Sequence, residues 1–121
     1  MSKPKILIAE DDPDMLSLLG TLLELEGYEV GYYDEQTPIM HKVLAFEPNA
    51  LLMDIHLANE NGLEVSRAIR RHHPKLATRI VLQSGMDLAD ASKAAHADAF
   101  LLKPYMPETL LDLLKGLLAL E

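Results

Sequence analysis

Acidic, hydroxyl and ammonium side chains follow short apolar segments at four places in this sequence. These residues are Glu10, Asp11, Asp12, Asp54, Ser84 and Lys103. Grouped carboxylates repel one another in a partly buried site unless a cation neutralises them, and oxygen ligands of this kind suit Mg²⁺. A divalent cation, an ammonium, a hydroxyl and one free carboxylate can together position a phosphoryl group and neutralise its oxygens. The residue types therefore point to phosphoryl transfer onto a carboxylate, provided that the fold brings them together.

Each of these residues also has a purely structural interpretation. The Asp-Asp-Pro-Asp segment at residues 11–14 is typical of a capped helix start, and for the acidic run alone this interpretation is favoured. Ser84 alone fits a turn, and Lys103 alone fits a solvated loop. Asp54 is harder to explain structurally, because a carboxylate that ends a buried strand is costly unless it is paired. Compatible chemistry at four separate strand ends favours the functional interpretation.

The segments between these residues alternate between strand and helix patterns. Apolar runs predict strands at residues 6–9, 29–33, 50–53, 80–82 and 99–102. Apolar spacing predicts helices from residue 15 to the glycine at 27, over 37–46 with Pro38 in the first turn, and over 63–72, 87–95 and 107–120. Because each apolar strand is followed by a helix, we expect an α/β fold with a doubly wound, five-stranded parallel sheet, (βα)5. Polar residues that follow the strands then gather at one edge of the sheet.

The length and composition of the chain predict one domain with a hydrophobic core. The 121 residues are 49% hydrophobic, and eleven Lys and Arg against nineteen Asp and Glu give a net charge of −8. This balance argues against direct binding of nucleic acid or anionic lipid. The absence of cysteine excludes disulfides, thiolate metal sites and a cysteine nucleophile. The sequence shows neither a membrane-length apolar run nor a signal peptide, so we expect residues 1–121 to form one cytoplasmic domain.

Four short motifs, in this order, resemble the receiver domains of two-component response regulators, and the resemblance spans essentially the whole chain. The motifs are Ile6-Leu7-Ile8-Ala9-Glu10-Asp11-Asp12, Leu51-Leu52-Met53-Asp54, Ser84-Gly85 and Phe100-Leu101-Leu102-Lys103-Pro104. The separations of 42 residues from Asp12 to Asp54 and of 30 residues from Asp54 to Ser84 are similar to those of the family. The resemblance implies the CheY-like, flavodoxin-like strand order 2-1-3-4-5.

The resemblance also implies a phosphoacceptor and a metal site. Asp54 would accept a phosphoryl group from the phosphohistidine of a sensor histidine kinase or a histidine phosphotransferase. Asp12 and Asp54 would bind Mg²⁺ directly, with Mn²⁺ as a substitute and the backbone carbonyl of His56 as a third protein ligand. Asp11 would act through a metal-bound water.

Three further residues would read the phosphorylation state. Ser84 and Lys103 would contact phosphoryl oxygens. Phe100 stands at the family's aromatic switch position, where the ring packs inward as the hydroxyl moves, although a core aromatic is an equally good interpretation. An aspartyl phosphate would add charge and acceptor oxygens and so favour an active form that is a minor population beforehand. The bond between Lys103 and Pro104 is expected to be cis.

Three departures from the family pattern are specific to this chain. Ala58 replaces a common proline, which predicts a less rigid loop. His96 stands where a glycine commonly follows the fourth helix, and histidine tolerates left-handed backbone better than most residues. Only 19 residues separate Ser84 from Lys103, about one helical turn fewer than in the family. The missing turn falls in the fourth helix or the loop before it, which weakens any partner surface built there.

Two other functions are alternatives to a signalling switch. A magnesium-dependent phosphohydrolase could act through an aspartyl phosphate, but no residue is placed as its general acid. A degenerate receiver could act only as an interaction domain, but the acidic residues and Lys103 are intact. We therefore expect a phosphoacceptor that is not an enzyme, with a second copy or an output domain as further partners. The wide leucine arc of the last helix predicts either a core stripe or a dimer surface through Leu111 and Leu118, or Leu113 and Leu120.

Overall fold

Five strands and five helices alternate along residues 3–119, which the computed structural model describes. The strands are β1 (Lys5–Ala9), β2 (Glu29–Tyr32), β3 (Ala50–Asp54), β4 (Arg79–Ser84) and β5 (Ala99–Leu102). The helices are α1 (Pro13–Leu25), α2 (Ile39–Phe46), α3 (Gly62–His72), α4 (Ala89–Ala94) and α5 (Pro107–Leu118). The predicted alternation is confirmed, and Leu120, the predicted end of the last helix, lies outside the described residues.

The five strands form one parallel sheet in the order β2-β1-β3-β4-β5. Ile8 of β1 pairs with Leu52 of β3, and Leu52 pairs with Val81 of β4. The predicted fold class and strand order are therefore confirmed. Because the strand order reverses between β1 and β3, the residues that follow these two strands flank one crevice at the carboxyl edge.

Alternate strand residues pack into two cores, one on each face of the sheet. One core joins the strands to α2 and α3 and includes Leu7, Leu51, Met53, Ile80, Leu82, Ile39, Val43, Val65 and Ile69. The other joins the strands to α1 and α5 and includes Ile6, Ile8, Leu52, Val81, Leu19, Leu23, Leu110 and Leu114. Burial on both faces explains why the inner strands are apolar throughout.

Several predicted boundaries differ from the observed ones by one or two residues, and two of these differences concern α2 and β4. Helix α2 begins at Ile39, and Pro38 occupies its N-cap with an extended ψ of 142° instead of lying in the first turn. Strand β4 continues past Leu82 through Gln83 to Ser84. Gln83 is completely buried despite its polarity, because its backbone pairs with that of Asp54 and its side chain has a hydrogen-bond partner.

Helix α4 has six residues, the fewest of the five helices within residues 3–119. The shortened spacing between Ser84 and Lys103 is thus matched by a short fourth helix. His96 follows this helix with a φ of 63°, the left-handed conformation expected where glycine is common. The bond between Lys103 and Pro104 is cis, as expected.

Helix α5 uses its wide leucine arc to cover the sheet. Leu110 and Leu114 are completely buried, and four other leucines pack against the same core while partly exposed. These four are Leu111, Leu113, Leu117 and Leu118. The core-stripe interpretation is therefore consistent with the described leucines. The dimer surface through Leu111 and Leu118, or Leu113 and Leu120, stays a prediction, and Leu120 lies outside the described residues.

Candidate functional site

The ammonium of Lys103 joins the ends of three strands. Its Nζ lies 2.7 Å from Glu10 Oε1, just after β1, and 2.7 Å from Asp54 Oδ2, at the end of β3. Lys103 itself follows β5. Glu10 is only 5% exposed and Asp54 only 9% exposed, so both carboxylates depend on this cation. The predicted convergence of Asp54 and Lys103 is a feature of the structure.

The position of Lys103 between two carboxylates keeps it ionised. Burial disfavours its charge, but the hydrogen bonds to Asp54 and Glu10 and the charges of both residues outweigh burial and raise the pKa of Lys103. One ammonium nevertheless leaves two carboxylates with a net negative charge, to which the neighbouring Asp11 adds. The crevice can therefore take a further cation.

Asp11 presents an unsatisfied oxygen to this region. Its Oδ2 accepts a hydrogen bond from the backbone N–H of Ala58 at 2.8 Å, whereas its Oδ1 is buried and has no hydrogen-bond partner among residues 3–119. Proline at position 58 would lack that N–H. The loop after β3 is therefore tied to Asp11 by a contact that the common family residue could not make.

Asp12 caps helix α1 and is exposed. Its Oδ1 accepts hydrogen bonds from the backbone N–H groups of Asp14 at 3.0 Å and Met15 at 3.4 Å, with Pro13 in the first turn. The capping interpretation of the acidic run thus describes Asp12. These contacts do not support Asp12 as the direct metal ligand; the β1 carboxylates that reach other site elements are Glu10 and Asp11. Glu10 was among the candidate acidic residues but was given no role at the site, although the Asp-Pro pair at 12–13 marks an N-cap and leaves Glu10 and Asp11 as the remaining acidic pair.

Tight packing beneath Asp54 fixes the loop that carries it. The backbone N–H of His56 donates to Asp54 Oδ1 at 3.2 Å. A Cβ at Gly62, the first residue of α3, would lie 2.8 Å from Ile55 Cα and 2.9 Å from the Asp54 carbonyl oxygen. Glycine therefore lets α3 begin directly against the end of β3.

Ser84 lies at the end of β4 beside His56. The hydroxyl is buried, accepts a hydrogen bond from the backbone N–H of Met86 at 3.1 Å, and lies 3.5 Å from Nδ1 of the exposed His56. The Ser84 carbonyl accepts a hydrogen bond from the backbone N–H of Lys103 at 2.8 Å. A shift of Ser84 can therefore reach both the loop after β3 and the start of the loop after β5.

Phe100 packs on the face of the sheet that is covered by α2 and α3, opposite the face that is covered by α1 and α5. It is partly buried against the core formed with α2 and α3, and its backbone pairs with Leu82. This placement fits a core aromatic and leaves part of the ring accessible for a change in packing.

A partly buried hydrogen bond below the crevice was not predicted. The Tyr105 hydroxyl donates to Oε1 of Gln83, whose Nε2 has no partner among the described residues. Burial is the main cause that raises the pKa of Tyr105 to about 12; the charge of Lys103 opposes the shift, and those of Glu10 and Asp54 add to it. A glutamine at the end of an apolar strand was the available sequence signal, because such a residue needs a partner.

The donor set fits Mg²⁺. No cluster of three or more His, Asp or Glu side chains within residues 3–119 forms a metal site by itself. Mg²⁺, however, needs only one or two protein carboxylates and retains several waters. The unpartnered Oδ1 of Asp11, the acidic excess and the loop at His56 match that requirement.

Comparison with known proteins agrees with this geometry. Residues 6–115 match the family described as the response regulator receiver domain. The chain belongs to this family. Receiver domains are phosphoacceptor signalling domains of two-component systems, and no helix among residues 3–119 of this receiver domain is long and apolar enough to cross a membrane.

Individual relatives are similar over nearly the whole receiver domain. The response regulator ArlR of Staphylococcus saprophyticus is 32% identical over 116 residues, which cover 94% of this chain and 52% of ArlR. The transcriptional regulatory protein PrrA of Mycobacterium leprae is 29% identical over 119 residues, which cover 98% of this chain and 51% of PrrA. The chain thus spans about half the length of these relatives. The chemotaxis response regulator CheY4 of Vibrio cholerae has the same fold, with a TM-score of 0.85 at 24% identity over 96% of this chain and 99% of CheY4.

Proposed function

We propose that residues 1–121 act as a cytoplasmic receiver that accepts a phosphoryl group on Asp54 from a phosphohistidine. The donor would be a sensor histidine kinase or a histidine phosphotransferase, and the product would present an altered surface to an output partner. The supporting observation is the ammonium of Lys103, held 2.7 Å from both Asp54 and Glu10. It places a fixed positive charge beside the attacking carboxylate, where phosphoryl oxygens need it.

In this proposal Asp11, Asp54 and the backbone carbonyl of His56 hold Mg²⁺, and Mn²⁺ can replace it. Glu10 acts through water and through Lys103, while Asp12 keeps its capping role. This assignment moves the direct metal contact from Asp12 to Asp11 and the water-mediated contact from Asp11 to Glu10. When bound, the metal ion neutralises the carboxylates and the charge on the phosphoryl oxygens.

The chemical step belongs to Asp54. A carboxylate oxygen attacks phosphorus, the new O–P bond forms, the N–P bond of the donor breaks, and the electron pair returns to the donor imidazole. Lys103 keeps its proton, since its pKa is raised, and exchanges a carboxylate contact for a phosphoryl oxygen. No residue has to act as a general acid, which is consistent with a phosphoacceptor rather than a hydrolytic enzyme.

The conformational change would begin at Ser84. A phosphoryl oxygen gives the Ser84 hydroxyl a strong acceptor, and the hydroxyl then turns from the His56 and Met86 side toward Asp54. Phe100, one strand further along the sheet, repacks as the end of β4 shifts. The population of the active form rises by the differential binding energy of these new contacts.

Intact-mass measurement after incubation with Mg²⁺ and acetyl phosphate tests the proposal. We expect one phosphoryl addition in the wild type and none in Asp54→Asn. Asp11→Asn should lose most of the magnesium-dependent rate. Asp12→Asn is the matched control: it makes the same change one residue away, retains a capping oxygen, and should be modified at close to the wild-type rate.

Three results would contradict parts of this proposal. Equal modification of Asp54→Asn would exclude Asp54 as the acceptor. Loss of modification in Asp12→Asn with retention in Asp11→Asn would restore the original metal assignment. Continuous phosphate release from unrelated phosphomonoesters would indicate the phosphohydrolase instead.

A further inference from the structure

Positive charge is concentrated in one segment of this acidic chain. Residues 65–86 contain five of the eleven Lys and Arg residues and none of the nineteen Asp and Glu residues. The five are Arg67, Arg70, Arg71, Lys75 and Arg79. The net charge of −8 therefore conceals a basic region, and the argument from net charge against binding nucleic acid or anionic lipid does not apply to this region.

The basic region surrounds a surface cavity at the edge of the sheet opposite the crevice. We call this edge the amino edge, because the strands begin there. This basic cavity has a volume of about 530 Å³ and is lined by Arg67, Arg70, Arg71, Pro74 and His96. It lies between the end of α3 and the turn from α4 to β5, so it shares no residue with the phosphorylation site. Its size is within the range of small-molecule sites, roughly 300–1,000 Å³.

Two of the guanidiniums at this edge are committed to the fold. Arg70 lies 2.7 Å from Asp98 and also donates to the Thr78 carbonyl at 2.9 Å, and Arg79 lies 3.7 Å from the same Asp98. Arg67 and Arg71 are exposed and make no salt bridge or side-chain hydrogen bond within the described part of the chain. They provide two uncompensated positive charges on the wall of the cavity.

Helix electrostatics explain only part of this arrangement. The C-terminus of α3 carries a partial negative charge of roughly half a unit, which basic residues in the last turn offset. Arg70, Arg71 and His72 occupy that turn. Arg67 lies one turn earlier, outside the range of the dipole, so the positive charge exceeds what the helix end requires.

His96 places a side chain in the cavity at a conformational cost. Its φ of 63° is left-handed, a conformation that glycine adopts more easily. The backbone carbonyl of His96 accepts a hydrogen bond from Arg70 Nε at 3.4 Å, which holds the turn against α3. The imidazole that this backbone conformation places at the cavity wall can act as a hydrogen-bond donor to a ligand.

We propose that the basic cavity binds a small anion with two adjacent phosphate groups. Arg67 and Arg71 are one helical turn apart, with roughly 5–6 Å between their Cβ atoms, so each guanidinium can take one phosphate in a bidentate contact. His96 donates a hydrogen bond from the facing wall. The cavity is larger than a diphosphate and has room for a nucleoside as well. The proposed ligand is therefore free pyrophosphate or a nucleoside diphosphate.

Titration of the full chain with inorganic pyrophosphate, followed by amide and arginine side-chain NMR, tests this site. EDTA is included so that the acidic crevice cannot recruit a magnesium–pyrophosphate complex. We expect saturable shifts at Arg67, Arg71 and His96 and none at Asp54. Orthophosphate should bind about ten-fold more weakly, because it can satisfy only one guanidinium.

Two double variants distinguish a specific binding site from non-specific electrostatic attraction of the anion. Arg67→Gln/Arg71→Gln should lower pyrophosphate affinity about ten-fold or more. Lys75→Gln/Lys115→Gln removes the same charge from residues that do not line the cavity and should change the affinity less than two-fold, roughly the effect of screened surface charges. Equal losses in the two variants, or no saturation by pyrophosphate, would overturn the proposal.

Titrations with ADP and with an RNA oligonucleotide identify which kind of molecule carries the phosphates. Tighter binding of ADP than of pyrophosphate assigns a nucleoside diphosphate, and equal or weaker binding assigns free pyrophosphate. Shifts at these residues with an RNA oligonucleotide and none with either diphosphate would overturn the small-ligand proposal in favour of nucleic acid. The NMR shifts are followed at residues of the basic cavity, whereas phosphorylation is measured by intact mass at Asp54. A negative result for diphosphate binding would therefore not contradict the proposed phosphorylation.

Discussion

At the carboxyl edge of the sheet one ammonium lies between two carboxylates, whereas at the amino edge one carboxylate lies between two guanidiniums. Lys103 is 2.7 Å from both Glu10 and Asp54. Asp98 is 2.7 Å from Arg70 and 3.7 Å from Arg79. The two clusters are close to mirror images in charge, yet we assign chemistry to the first and structural support to its counterpart.

Burial and the kind of charge that remains unpaired distinguish the two clusters. Glu10 and Asp54 are almost completely buried, and the adjacent Asp11 has a buried oxygen without a partner in the described chain. At the amino edge the paired side chains are 20–31% exposed, and Asp98 also accepts from the Ile80 N–H at 2.7 Å. One buried nitrogen of the amino-edge cluster, Arg79 Nε, also has no partner among the described residues, but that cluster lies closer to solvent and contains no carboxylate without a bonded partner. The buried acidic cluster can therefore bind a cation and react, whereas the cluster at the amino edge contributes to stability.

The largest expected effect comes from removing the ammonium at the carboxyl edge. Lys103→Met should slow phosphorylation by acetyl phosphate about 100-fold, because a fixed charge beside the transferred group is lost. The same change should tighten Mg²⁺ binding, since a competing cation is removed from the carboxylates. Rates from intact mass and Mg²⁺ affinity from calorimetry provide the measurements.

Lys93→Met is the matched control for this variant. Lys93 is an exposed residue of α4, and its substitution should change neither quantity. Weaker Mg²⁺ binding in Lys103→Met would show that the ammonium organises the metal ligands instead of competing with the metal.

The amino edge should respond in stability instead of chemistry. Arg70→Met keeps the aliphatic stem but removes the contacts to Asp98 and to the Thr78 carbonyl, so we expect a loss of about 2–3 kcal/mol in the free energy of unfolding. Arg67→Met, on the same helix, should stay within about 0.5 kcal/mol of the wild type. Urea unfolding followed by circular dichroism checks both values. Equal losses would show that Arg67 is not free for a ligand.

Below the crevice, the bond from Tyr105 to Gln83 predicts an alkaline transition. The pKa of Tyr105 is about 12 in the folded chain against an ordinary value of 10.0. The unfolded chain therefore loses the phenol proton first, so this contribution to stability is complete below pH 10 and is lost as the pH approaches 12.

Tyr105→Phe removes that transition. We expect the variant to be about 1–2 kcal/mol less stable than the wild type at pH 8, because buried Gln83 loses its partner. The difference should shrink by about 2 kcal/mol between pH 9 and 12, because only the wild type loses this contribution. The other tyrosines are present in both proteins and cancel. A constant difference across the range would show that Tyr105 is not protected in the fold.

The fold could be predicted because its signals are local and repeated. Each inner strand is an apolar run such as Leu51–Met53, and a polar residue marks each strand's end. Parallel pairing then determines which ends meet. Asp54, Ser84 and Lys103 could therefore be placed at one edge of the sheet without coordinates.

The remaining details of the site depend on the direction of single side chains. In the run Glu10-Asp11-Asp12 each residue carries the same charge, and only the proline after Asp12 indicates in the sequence which of the three caps the helix. The contact from Glu10 to Lys103 spans 93 residues, and no periodicity encodes it. The hydrogen bond from Tyr105, in the loop after β5, to Gln83, in β4, likewise depends on the direction of two side chains and could not be predicted from the sequence pattern.

The capping role of Asp12 can be measured separately from the crevice. Asp12→Ala should lower the free energy of unfolding by about 1 kcal/mol, because two N–H groups of α1 lose their acceptor, whereas Asp12→Asn should lose less than half of that. Both variants should retain phosphorylation. A loss of phosphorylation in both, with stability unchanged, would place Asp12 in the chemistry and assign the cap a minor role.

The smallest expected effect concerns His96 and has opposite signs for stability and binding. His96→Gly relieves about 1–2 kcal/mol of left-handed strain but adds about 0.5–1 kcal/mol of entropy to the unfolded chain, so we expect a net gain of about 0.5 kcal/mol. The same variant should bind pyrophosphate several-fold more weakly, because the facing donor is lost. Glu35→Gly, at a φ of 67° outside both clusters, is the control that should gain similar stability without a change in affinity. If His96→Gly kept full pyrophosphate affinity, its left-handed backbone would be a tolerated substitution for glycine, and the site would consist of the two arginines alone.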